Sequence, residues 1–152
     1  MLDLYDELTG LMSALTESDL DFAVCGGVAM AVHGFTRATE DIDLFIRPED
    51  LEGVEKVAAS CGFTFQAKPM NFSGGAMQIR RVTKIDAADG DVLTLDLLLV
   101  TPETERVWLT REVKSLRGRP FPVVSREGLV TLKLFRSSDQ DIVDIKRLQS
   151  DE

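Results

Sequence analysis

The sequence predicts an α/β (α+β) fold in which helices flank a β-sheet and further helices close the chain. Three observations predict it. Strand-like apolar runs at Asp41–Ile46 and Val92–Val100 alternate with stretches of helical period, a Gly26-Gly27 turn joins a short strand to a small-residue helix, and the end of the chain is helical. At 152 residues the chain suits one domain, 1–152, with a sizeable core.

Taken in order, Leu4, Leu8, Leu11, Met12 and Leu15 fall on one face of a helix over residues 3–16, which Ser18-Asp19 ends. Phe22–Cys25 reads as a short buried strand running into Gly26-Gly27. Val28–His33 suits a tightly packed helix closed by Gly34. The strand that begins at Asp41 runs to Arg47. Pro48-Glu49-Asp50 then opens a helix in the favoured way, with acids near the positive end of the dipole and Leu51, Val54, Val57 and Ala58 as its buried stripe. Cys61-Gly62 stops it. Phe63–Ala67 predicts a strand, Lys68–Gly75 a loop, Met77–Val82 an alternating strand and Ala87–Gly90 a turn. Val92–Val100 is the most β-like run of all. Thr101–Glu105 starts a short helix, and residues 111–116 and 121–124 pair as strands. Ser125 caps a helix carrying Leu129, Leu132, Lys133 and Phe135, and Ser137-Ser138-Asp139 caps a last one carrying Ile142, Ile145 and Leu148.

Composition excludes several classes. The longest apolar run, Leu97–Val100, is far too short to span a bilayer, and the acidic N-terminus lacks the basic start of a signal peptide, so a cytoplasmic protein away from membranes is expected. Cys25 and Cys61 sit in apolar surroundings without metal-ligand spacing, which predicts free thiols. A net charge of −9 is the opposite of an extended nucleic-acid footprint. Arg111, Lys114, Arg117 and Arg119 form one basic concentration, read as a solvated strand and turn.

Alternation along a strand puts Asp41 and Asp43 on one side and Ile42, Leu44 and Ile46 on the other. Paired carboxylates at the mouth of an apolar sheet repel one another and call for a cation or strong donors. On its own, Glu40–Asp43 reads more readily as an acidic turn before a strand, a common feature of an acidic protein. Asp96 is the second pointer, because an aspartate inside an apolar strand is costly unless paired, hydrogen-bonded or bound to metal. If the two strands are neighbours, Asp41, Asp43 and Asp96 converge on one sheet face and can bind hard divalent ions through oxygen. If the aspartates are surface decoration, Asp96 lies far from the other two. Backbone amides at Gly26-Gly27 are suited to cradle a phosphate.

These residues resemble the nucleotidyltransferase superfamily that includes DNA polymerase beta, and more closely its small bacterial AbiEii-like and MNT-like members. Gly26-Gly27 after a strand resembles the Gly-Ser or Gly-Gly signature, and Asp41-Ile42-Asp43-Leu44 the Asp-hydrophobic-Asp-hydrophobic motif. His33-Gly34-Phe35-Thr36-Arg37-Ala38-Thr39 resembles the His-Gly-x-x-Arg-x-Thr that often precedes it, and Lys133 with Gln140–Ile145 resembles the C-terminal helices. The resemblance implies a mixed sheet, Mg²⁺ (with Mn²⁺ as substitute) held by Asp41, Asp43 and Asp96, and Asp96 helping to deprotonate the acceptor. It implies Gly26, Gly27, Arg37, Thr39 and Lys133 on the nucleotide. Asp141 and Asp144 either join that site or orient Lys133 and pair with arginines. A lone histidine such as His33 is more often a packed or capping residue. Two departures stand out: Gly27 replaces a serine that would touch phosphate, and Gln140 stands where lysine is frequent.

The expected activity is transfer of a nucleoside monophosphate from an NTP to a hydroxyl on a tRNA end, a protein or a small molecule. Such proteins are often the toxin half of a toxin–antitoxin pair, which implies an antitoxin partner. The alternative is a catalytically inactive nucleotide-binding or regulatory module of the same fold. The acidic charge favours protein or small-molecule acceptors over tRNA.

Overall fold

Strands β1 (Ala23–Cys25), β2 (Asp41–Ile46) and β6 (Val92–Leu99) form the middle of an eight-stranded mixed sheet in the computed structural model, which describes residues 1–36 and 38–150. The remaining strands are β3 (Phe65–Gln66), β4 (Met70–Phe72), β5 (Met77–Ile85), β7 (Glu112–Leu116) and β8 (Arg119–Val123). Their order is β3-β5-β6-β2-β1-β8-β7, with β4 also paired to β5. β2 runs parallel to β6 and antiparallel to β1, β5 is antiparallel to β6, and β1 is parallel to β8. The mixed sheet matches the expectation.

The core follows from alternation. Ile42, Leu44 and Ile46 on β2 and Leu95, Leu97 and Leu99 on β6 are buried, as strands covered on both faces require. Helix α1 (Leu4–Glu17) begins at Asp3, whose side chain accepts from the Asp6 amide, and buries Leu8, Leu11, Met12 and Leu15. Each such side chain contributes about 1.5–3 kcal/mol. Helix α1 packs against β2 and against α3 (Leu51–Ser60), which a short 3-10 turn at Pro48–Asp50 introduces.

The sheet face that carries the aspartates is covered by two other helices. On α4 (Glu105–Leu109), Trp108 meets Phe45 edge-on at 5.9 Å, and Phe45 has the same parity as Asp41 and Asp43. Helix α5 (Arg126–Arg136) packs against α2 (Gly26–Val32), α4 and β5. Helix α6 (Asp139–Ser150) lies on α5 and buries Asp141 and Asp144 beside Leu148, an unusual stripe that Lys133 of α5 explains by filling the space between them.

Two elements differ from the sequence reading. The expected loop Lys68–Gly75 contains β4, a three-residue strand recruited by pairing to β5 although none of its side chains is buried. Helix α2 begins at the glycines, two residues earlier than the apolar pattern suggested. Among the described residues no helix is long and apolar enough to cross a membrane.

Candidate active site

Register assembles the site. Across four neighbouring strands Cys25 faces Asp43, Asp43 faces Asp96, and Asp96 faces Arg81, so one row crosses the sheet. Asp41 lies two residues before Asp43 on the same face, opposite Thr94. The three aspartates are therefore neighbours in space although Asp96 is remote in sequence, and the surface-decoration reading is excluded.

Their environments differ. Asp96 is buried, and Arg81 donates to both of its oxygens, from Nε to Oδ1 at 2.8 Å and from a terminal nitrogen to Oδ2 at 3.0 Å. Among the described residues Asp43 has no such partner. Burial raises its carboxyl from the ordinary range to about 7, and the charges of Asp96 and Asp41 push the same way against Arg136 and Lys133. Asp41 is also raised, first by burial and then by Asp96, with Arg81 and Arg136 opposing. Burial and then the Asp43 charge push the Cys25 thiol up, so it is not a ready nucleophile.

This has a measurable consequence without any ion. A native Asp43 keeps its proton to about pH 7 whereas the unfolded chain sheds it near its ordinary value of 3.8, so between these limits the native state binds more protons. Stability from this group therefore falls as pH rises through that window. In EDTA, Tm measured from pH 4.5 to 7.5 should decline more steeply with pH for the unaltered protein than for Asp43→Asn, in which this titration is gone.

Gly26 positions the central carboxylate. Its φ of +66° suits a residue without a side chain, and a Cβ built there would lie 2.0 Å from Asp43 Oδ2. The carboxylate thus rests directly on the backbone at the start of α2. Gly27 follows at the wall of a cleft shared with Thr39, Asp41, Asp43, Arg136 and Ser138.

The segment between α2 and β2 is tied down. His33 Nε2 lies 2.9 Å from the Val124 carbonyl, which makes this histidine a packing residue, as expected. Phe35 sits beneath the guanidinium groups of Arg126 and Arg147 at 4.9 and 5.9 Å. Arg37 lies outside the described residues.

The C-terminal helices supply the opposite wall. Lys133 is buried and donates to Asp144 at 2.9 Å, with Asp141 at 3.6 Å. Gln140 donates to the other oxygen of Asp144 at 2.8 Å. Asp141 accepts from both the backbone and the hydroxyl of Ser138, and returns its own amide to that hydroxyl, forming a cap on α6. Asp141 and Asp144 are thus brought to Lys133, while Lys133 and Asp141 also line a small cleft with Gly26 and Asp43. Lys133→Met would remove the buried cation between Asp141 and Asp144, and urea denaturation should show a loss of about 3–5 kcal/mol.

Arg81 and Arg136 escaped the sequence reading. Arg81 occupies the inward phase of the alternation set by Met77 and Ile79, a legible irregularity, but its partner depends on β5–β6 register. Arg136 stands one turn beyond Lys133 and lines both clefts that reach Asp43.

The donor chemistry suits a hard divalent ion: carboxylate oxygens on adjacent strands, of which Asp41 and Asp43 have no ion pair among the described residues. In the arrangement described, no three His, Cys, Asp or Glu side chains among the described residues are gathered closely enough to hold one. Asp96 is turned to Arg81 instead.

Comparison with known proteins bears on the family and the fold. The family described as nucleotidyl transferase AbiEii toxin, Type IV TA system, matches residues 10–150. Among solved structures, TM1012 of Thermotoga maritima, described as a nucleotidyltransferase, is 15% identical with a TM-score of 0.61, over 97% of this chain and 93% of that one. The antibiotic-resistance factor ANT(2'')-Ia is 14% identical with a TM-score of 0.65, over 95% of this chain and 82% of its own. The lincosamide antibiotic adenylyltransferase LnuA, solved with lincomycin bound, is 15% identical with a TM-score of 0.56, over 95% of this chain and 96% of its own. At such identities the likeness shows the fold alone. No curated protein matches the sequence.

Proposed function

The chain belongs to the AbiEii nucleotidyl transferase toxin family, and from that premise we propose that it moves a nucleoside monophosphate from an NTP to a hydroxyl acceptor, with Mg²⁺ or Mn²⁺ held by Asp41, Asp43 and Asp96. The observation that supports the metal is Asp43, a carboxyl raised to about 7 by burial and by the charges of Asp96 and Asp41 on the same sheet face. A divalent ion there would polarise the phosphoryl oxygens and neutralise charge developing on the leaving group.

The protein's own residues do the rest. Gly26 and Gly27 add no side chain of their own to the clefts at Asp43, so a triphosphate can approach the backbone there. Lys133 is pinned by carboxylates and contributes its charge from within the wall, whereas Arg136, about one-third exposed and 3.8 Å from Asp141, has room to reach a phosphate. Asp96 Oδ takes the proton of the acceptor hydroxyl, the acceptor oxygen bonds to the α-phosphorus, and the bond from that phosphorus to the bridging oxygen breaks, releasing pyrophosphate. Arg136→Gln should raise the KM for NTP about tenfold with a smaller change in kcat, read from initial rates.

A toxin role with an antitoxin partner belongs to the same proposal. Incubation with each α-labelled NTP, Mg²⁺ or Mn²⁺ and cell extract, followed by separation of RNA, protein and small solutes, identifies the acceptor. Label on one class supports transfer. No label under any condition favours a second reading, a nucleotide-binding or regulatory module, which the engagement of both Asp96 oxygens by Arg81 also favours.

A further inference from the structure

Among the described residues, Asp96 is the one of the three carboxylates with a guanidinium hydrogen-bonded to it. Arg81 is its register partner on β5 and grips both oxygens, while Asp96 meets Asp43 on the other side. The pair is asymmetric in exposure: the Asp96 side chain is 1% accessible and that of Arg81 36%. The guanidinium has a route to solvent and the carboxylate has none. Arginine keeps its proton, so it cannot make way for a second cation by becoming neutral. An ion shared by Asp43 and Asp96 must therefore work against a fixed positive charge hydrogen-bonded to one of its ligands.

We propose that Arg81 is a displaceable latch on Asp96: it serves as the counter-ion of the buried carboxylate before a divalent metal binds, and it must release Asp96 for the three-carboxylate site to close. This rests on the metal-binding reading above. It accounts for two facts together, namely that Asp41, Asp43 and Asp96 share one face and that no three of the described ligating side chains are gathered around a common ion position. The latch also fixes Asp96 in orientation and gives the buried carboxylate a partner on both oxygens. Arg81 is in this sense a positioning residue that competes with metal, not a metal-site component.

The test is Mn²⁺ titration of the full chain at pH 8, with free Mn²⁺ followed by electron paramagnetic resonance, for the unaltered protein, Arg81→Met, Arg81→Lys and Asp43→Asn. Removing a neighbouring positive charge should tighten Mn²⁺ binding about tenfold in Arg81→Met, and Arg81→Lys, which keeps charge but loses the fork, should fall between. Asp43→Asn should lose binding. Should Arg81→Met not fold, Arg81→Lys decides: tighter binding supports the latch, and equal or weaker binding overturns it. If Arg81→Met folds and binds Mn²⁺ no more tightly than the unaltered protein while Asp43→Asn abolishes binding, the latch is overturned and the metal reading stands. Absence of binding in the unaltered protein and both arginine variants overturns the metal reading and the latch with it.

Discussion

Asp43→Asn is expected to lower nucleotidyl transfer by about 10³-fold or more while raising the Tm of the metal-free protein near pH 7.5. Asparagine has nearly the same volume, so the packing against Gly26 persists. What disappears is a charge that the folded state tolerates poorly, since Asp43 ionises only at about 7 beside Asp96 and Asp41. Activity should fall because the ion and the phosphates it would steady lose a ligand. Opposite signs for stability and activity separate this outcome from simple misfolding, which lowers both. Initial rates with labelled NTP and thermal melts in EDTA provide the two readouts.

Gly26→Ala should be the most damaging single methyl in the site. The backbone there has φ of +66°, where an alanine costs about 1–2 kcal/mol, and its Cβ would lie 2.0 Å from Asp43 Oδ2. No rotamer change at position 26 relieves that contact, because a Cβ has no freedom of its own. Either Asp43 leaves its place or β1 and β2 separate. Transfer should fall to the level of Asp43→Asn, with stability lowered by at least about 2 kcal/mol in urea. Gly10→Ala is the control: its Cβ meets nothing within 4 Å inside α1, so it should be neutral or up to about 1 kcal/mol stabilising.

Much of this site was legible in the sequence because local chemistry marked it. Asp41 and Asp43 share a face by strand alternation, and Asp96 stood out as a charge in an apolar strand. The carboxylates of α6 showed themselves through helical spacing from one another, and the structure places both on Lys133. What stayed hidden is non-local. Arg81 meets Asp96 only because β5 pairs with β6 in one register, and a slip of one residue would send it to the opposite face. Strand β4 left no pattern, since its three residues gain their conformation from the neighbouring strand and not from burial. Arg136 is a last-turn cation of α5 that only tertiary packing brings to the cleft at Asp43.

The central claim, that Asp41, Asp43 and Asp96 form a platform for a divalent ion, is tested most directly by anomalous scattering from crystals grown with Mn²⁺ and a non-hydrolysable NTP analogue. A manganese peak is expected about 2–2.3 Å from carboxylate oxygens of Asp43 and its neighbours, with Arg81 turned away from Asp96. Ordered carboxylates with bound nucleotide and no peak among them, at saturating Mn²⁺, would contradict it.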